Sequence, residues 1–101
     1  MNFKFSQRSL DRLQGVHPDL VKVVIKALEI SEIDFCITEG LRSIEKQKQL
    51  VAKGASTTMR SRHLTGHAID LAAVIDKEIR WDWALYDKLA QSMKEAAHEL
   101  Q

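Results

Sequence analysis

The feature that most restricts this chain's fold is a change of hydrophobic period between two adjacent segments. Leu20, Val23, Val24, Ala27 and Leu28 recur at the spacing of one buried helical face, with Pro18 suited to the first helical turn. Immediately afterwards Ile33 to Gly40 becomes a run dense in β-branched and aromatic residues, which is the pattern of a strand. Much later His67 to Ile75 is apolar with one polar break at Asp70, and Glu78 to Trp81 alternates, with only Asp76-Lys77 between them. The alternation of Glu78 to Trp81 makes Asp76-Lys77 a candidate hairpin turn, although neither residue is the glycine such turns favour. The expected fold class is α+β: a small, mostly antiparallel sheet packed with helices.

The remaining helices are marked by their ends. Ser6 and Ser9 can cap a short first helix carrying Leu10 and Leu13, which Gly15 closes. Ser43 to Lys53 is rich in helix formers, with half a capping box in Ser43 and Lys46 and a stop at Gly54. Gly54 to Arg62 is small and polar, hence a loop. Asp82 can cap a long last helix whose Leu85, Leu89, Met93, Ala96, Ala97 and Leu100 fall on one face. The chain stops at Gln101 on this amphipathic helix with no exit signal, and the expectation is one domain over 1–101, incomplete at its C-terminal end.

Composition excludes more than it selects. Apolar residues at 45% are too many for a disordered chain of 101 residues, and a net charge of +1 provides no field for nucleic acid or an anionic membrane. Lys53, Arg60 and Arg62 form the one basic stretch, read as a solvated loop, with polyanion contact as the competing idea. Cys36 is alone, so no disulfide forms within the chain, and its apolar run reads as burial of a small hydrophobe rather than a nucleophile or ligand. No apolar leader follows Met1, and no window approaches a membrane span, so cytoplasmic synthesis without a signal peptide is expected.

Chemistry concentrates in Ser61-Arg62-His63-Leu64-Thr65-Gly66-His67-Ala68-Ile69-Asp70-Leu71. His63, His67 and Asp70 are candidate metal ligands, and zinc holds such donors at about 2.0–2.2 Å. Seven residues separate His63 from Asp70, about 23 Å on a strand and about 10 Å on a helix. The chain must double back, and Thr65-Gly66 is where it can, because glycine accepts positive φ. The competing geometry sets His63 and His67 on one helical face, but the helical zinc motif needs Glu after the first His, and Leu64 stands there. For His67, an exposed position on the strand is favoured. Asp70, inside an apolar run, either faces water at an edge or pairs with a cation; on composition alone an arginine serves as well as zinc.

The pattern Ser61, His63, Gly66, Ala68 and Asp70 resembles the Ser-x-His-x-x-Gly-x-Ala-x-Asp signature of zinc peptidases acting on peptidoglycan stem peptides. That family includes D-Ala-D-Ala carboxypeptidases and the L-alanyl-D-glutamate endopeptidases used as phage endolysins. Asn2-Phe3-Lys4-Phe5, the helix after His17-Pro18, Glu39-Gly40-Leu41-Arg42-Ser43 and Ile79-Arg80-Trp81 extend the resemblance over nearly the whole chain. It implies a hedgehog/D-Ala-D-Ala-peptidase-like fold, Zn2+ held by His63 and Asp70, Arg42 steadying the substrate carbonyl or oxyanion, and Ser61 binding substrate. It also implies an enzyme that acts on the cell wall after release. Members of the family continue past the last helix into strands bearing an acidic general base and a third, histidine ligand. No segment here matches these, and His98 lies in the long helix outside that context.

The leading expectation is therefore an endolysin-type zinc peptidase, an L-Ala-D-Glu endopeptidase or a D-Ala-D-Ala carboxypeptidase, with peptidoglycan as partner. The alternative is a non-catalytic remnant that binds peptidoglycan or a partner. A missing final segment would expose a sheet edge and favour self-association or pairing with a complementing C-terminal chain.

Overall fold

In the computed structural model, which describes residues 3–100, a short helix α1 (Gln7–Arg12) leads into α2 (Pro18–Ile30) and strand β1 (Asp34–Glu39). Helix α3 (Ile44–Ala52) and a loop ending in a 3-10 turn (Arg62–Thr65) follow. Strands β2 (Asp70–Ile75) and β3 (Glu78–Arg80) and helix α4 (Trp83–Glu99) complete the order. The three strands form an antiparallel sheet in the order β1-β2-β3. Asn2, part of the family-like opening, and the terminal Gln101 lie outside the described residues.

The core lies between the sheet and helices α2 and α4. Phe35 pairs with Ala73 and Ile37 with Leu71 in register, so these four share one face. Against them pack Val24, Ala27 and Leu28 of α2 and Leu89 and Ala96 of α4. Leu100, expected on the buried face of the last helix, is 49% exposed and stands at the helix's C-terminal cap.

Helix α1 guards the outer edge of β1. Ser6 caps α1 by accepting from the Ser9 N–H, as its type suggests. Ser9, the other candidate cap, instead faces β1, where its buried hydroxyl accepts from the Ile37 N–H at 3.1 Å. Arg12 donates to the Ile37 carbonyl at 2.9 Å. Both ladder groups of Ile37 are thus satisfied by side chains instead of another strand, which blunts the edge.

The hairpin closes at Asp76-Lys77, where both residues have positive φ (51° and 69°). This is the backbone a two-residue turn demands for twisted strands, reached without glycine. The second strand begins at Asp70, three residues later than its apolar run, because Gly66 is still turning and His67 to Ile69 only bring the chain to the sheet. Asp82 occupies the cap position of α4 but makes no cap bond; its carboxylate accepts from Arg80 at 3.0 Å instead.

Candidate metal centre

Two glycines shape the site. Gly40 ends β1 where α1 crosses, and a Cβ there would overlap the Arg12 carbonyl oxygen. Gly66 has φ 79° and caps the 3-10 turn, and its carbonyl accepts from the His17 N–H at 2.8 Å. A Cβ on Gly66 would overlap the Gly15 carbonyl, so this position needs glycine for space as well as for φ. The reversal between His63 and Asp70 is therefore locked against the turn joining α1 and α2.

That reversal brings the two side chains together. His63 is buried in the 3-10 turn and Asp70 opens β2 half-exposed, with His63 Nε2 3.5 Å from Asp70 Oδ1. His63 Nδ1 lies 2.8 Å from the Gly40 carbonyl oxygen. A carbonyl only accepts, so Nδ1 carries a proton and Nε2 is the atom presented to Asp70. Two donors about 2.05 Å from a tetrahedral ion sit about 3.3 Å apart, close to the separation found here. An imidazole nitrogen and a carboxylate oxygen are also the donor types zinc accepts, so the residues fit such an ion.

A third acidic group joins them, and it was not singled out from the sequence. Ligand atoms of Glu39, His63 and Asp70 all lie within 4.8 Å of one another. The cause is a β-bulge: Ile37 pairs with Leu71, yet Glu39, not Thr38, stands opposite Asp70. Two carboxylates directly across a ladder repel, so the arrangement calls for cations. Arg42 supplies one, donating from Nε to Glu39 Oε1 at 3.0 Å and from Nη2 to the same oxygen. Because Oε1 accepts twice from Arg42, Glu39 orients the arginine while its carboxylate also borders the place a metal would occupy. Among the described residues, the His63 imidazole is the basic group beside Asp70. A carboxylate at the end of a β-run, three residues before an arginine, was the available signal; its pairing with Asp70 depends on a bulge that no local pattern announces.

The other candidates resolve as follows. The Arg42 N–H donates to the His63 carbonyl at 2.8 Å, tying the arginine's backbone to the 3-10 turn. Ser61 caps that turn, its hydroxyl accepting from the His63 N–H at 3.2 Å. His67 is exposed and does not join His63; its ring lies 4.9 Å from that of His17. Lys53, Arg60 and Arg62 are exposed. Cys36 lies on β1, where burial pushes its thiol pKa up, away from nucleophile chemistry. His98 is exposed on α4. Asp70 also borders an open cavity of about 640 Å³ walled by Trp81, Trp83, Tyr86 and Met93.

Fold and site together define an α+β protein with an imidazole–carboxylate group able to hold a metal where the sheet meets its connecting loops. The model of the phage L-alanyl-D-glutamate peptidase family matches residues 1–101, and the chain belongs to that family. It is 38% identical to the L-alanyl-D-glutamate peptidase of Escherichia phage T5, over 99% of this chain and 79% of that protein. The L-alanyl-D-glutamate peptidase of Listeria phage A118 is 35% identical over 85% of this chain and 31% of its own length. Among solved structures, the Serratia marcescens L-Ala D-Glu endopeptidase ChiX superposes with a TM-score of 0.91 at 45% identity, covering 97% of this chain and 74% of that one.

Proposed function

We propose that this chain is a zinc peptidase cleaving the L-alanyl-D-glutamate bond of peptidoglycan stem peptides, with His63 and Asp70 as metal ligands. Membership of the peptidase family makes it a hydrolase of the cell-wall peptide, and the relatives named for this bond favour the endopeptidase over the carboxypeptidase reading. The observation that carries the metal is the 3.5 Å approach of His63 Nε2 to Asp70 Oδ1, with Nδ1 committed to the Gly40 carbonyl.

Bound zinc would polarise the scissile carbonyl and lower the pKa of a water molecule. The chain's own residues do the rest of the positioning. Gly40 fixes the imidazole's tautomer and orientation. Three of Arg42's five N–H groups are engaged, two by Glu39 and one by Gln47, which leaves two for the substrate carbonyl or the developing oxyanion. The Ser61 hydroxyl accepts from the His63 N–H and keeps its own proton to donate to substrate. No helix among the described residues is long and apolar enough to cross a membrane.

Metal analysis of the purified protein and of His63→Ala tests the centre: zinc should be present in the first and lost from the second. Unchanged zinc in His63→Ala excludes the site. Incubation with purified sacculi should release new amino groups, and a chelator should stop the release. Sedimentation with sacculi without such release would favour the binding-remnant reading instead.

A further inference from the structure

Helix α3 carries one residue out of character with its neighbours. Its face is largely solvated, yet Gln47 is fully buried, at 0% exposure. A buried primary amide is costly unless its donors and acceptor are paired, and an aliphatic side chain of similar size would cost less. Here the amide is paired on every side. Oε1 accepts from Arg42 Nη1 at 2.8 Å, while Nε2 donates to the Ser56 hydroxyl at 2.9 Å and to the Thr58 carbonyl at 2.5 Å.

These bonds form a continuous path. The loop after α3 holds Gln47 through Ser56 and Thr58, Gln47 holds one edge of the Arg42 guanidinium, and Glu39 holds another. A planar fork held at two edges cannot rotate about its terminal bonds without breaking a bond to one of them. Gln47 is hydrogen-bonded to Arg42 and the loop rather than to His63 or Asp70, so it acts on the site through Arg42.

We infer that Gln47 is a positioning residue, which fixes the Arg42 guanidinium so that its two unengaged N–H groups are held ready for the substrate's carbonyl oxygen. The inference rests on the reading of Arg42 given above. Because an oxyanion contact strengthens as charge develops, loosening it lowers kcat more than it raises KM.

The test uses the zinc-loaded protein and a soluble stem-peptide substrate, with Gln47→Leu, Gln47→Glu, Arg42→Lys and the Gln47→Leu/Arg42→Lys pair. Gln47→Leu should lower kcat by about 10- to 100-fold, the scale of a misplaced catalytic group, with KM within a few-fold. It should also speed exchange of the Arg42 guanidinium protons observed by NMR, a readout independent of turnover. Gln47→Glu keeps an acceptor for Nη1 and loses the donor to Thr58, so it should retain most of kcat while melting at a lower temperature. In the Arg42→Lys background, Gln47→Leu should cost little further kcat. Unchanged guanidinium exchange in Gln47→Leu overturns the inference, as does an equal kcat loss in both Gln47 variants or an undiminished loss in the Arg42→Lys background. Arg42→Lys with full activity would remove the role of Arg42 and this inference together. A crippled Arg42→Lys beside a fully active Gln47→Leu would remove only the inference.

Discussion

At the scale of single residues, the site was legible where chemistry and backbone freedom coincide. His63 and Asp70 are seven positions apart, and only a reversal can unite them; the glycine that permits it, Gly66, does have φ 79°. Its second duty was hidden, because the Gly15 carbonyl that crowds its Cα comes from a turn some fifty residues earlier. Gly66→Ala should therefore cost more than the roughly 1–2 kcal/mol of a left-handed alanine, since backbone must also move. Urea denaturation checks this, and zinc content should fall with stability because the same turn carries His63. A loss below about 1 kcal/mol would show that the turn relaxes freely. Glu39 was illegible for a related reason: its importance lies in standing opposite Asp70, a relation created by the bulge at Thr38 and by pairing between distant segments.

Among the elements, helix and strand periods placed α2, β1 and α4 within a few residues of their observed ends, because each buries one regular face, while the largely solvated α3 was legible from its helix formers and the Gly54 stop. The misplaced boundary was the start of β2. His67 to Ile69 are apolar enough to continue a strand, but they span the gap between the 3-10 turn and the sheet, which composition does not record. The hairpin was read from the alternation of Glu78 to Trp81 after Asp76-Lys77, and the two strands do pair antiparallel. Its sequence is poorly matched to its geometry: Asp76 tolerates positive φ through its short polar side chain, whereas Lys77 at φ 69° does not. Lys77→Gly should therefore stabilise the protein by roughly 0.5–1 kcal/mol, less a small entropic penalty in the unfolded chain. A shift of the urea midpoint upward with an unchanged slope is the expected result. No gain would mean that the strain at Lys77 is offset by contacts its side chain makes.

For the whole molecule, the consequence of the site's position is that function and stability share one set of contacts. His63 belongs to the 3-10 turn, Asp70 to the first residue of β2, and the Gly40 carbonyl that orients the imidazole to the end of β1. A cation at His63 and Asp70 therefore fastens the loop to the sheet, and the loop in turn is fastened to α1 and α2 through Gly66 and His17. The unfolded chain holds no such geometry, so zinc held by the proposed ligands would favour the native state and stabilise it. At a free concentration one hundred times the dissociation constant the gain is about 2.7 kcal/mol. For a domain near 100 residues each kcal/mol moves the melting temperature by about 4–8 °C. Zinc titration should thus raise Tm by ten degrees or more, chelation should reverse it, and His63→Ala and Asp70→Asn should each abolish the response. Magnesium, which prefers an octahedron of oxygens, should raise Tm far less. Equal shifts with zinc in the parent and in both variants would place the cation elsewhere on the chain and separate the fold's stability from the centre that His63 and Asp70 form.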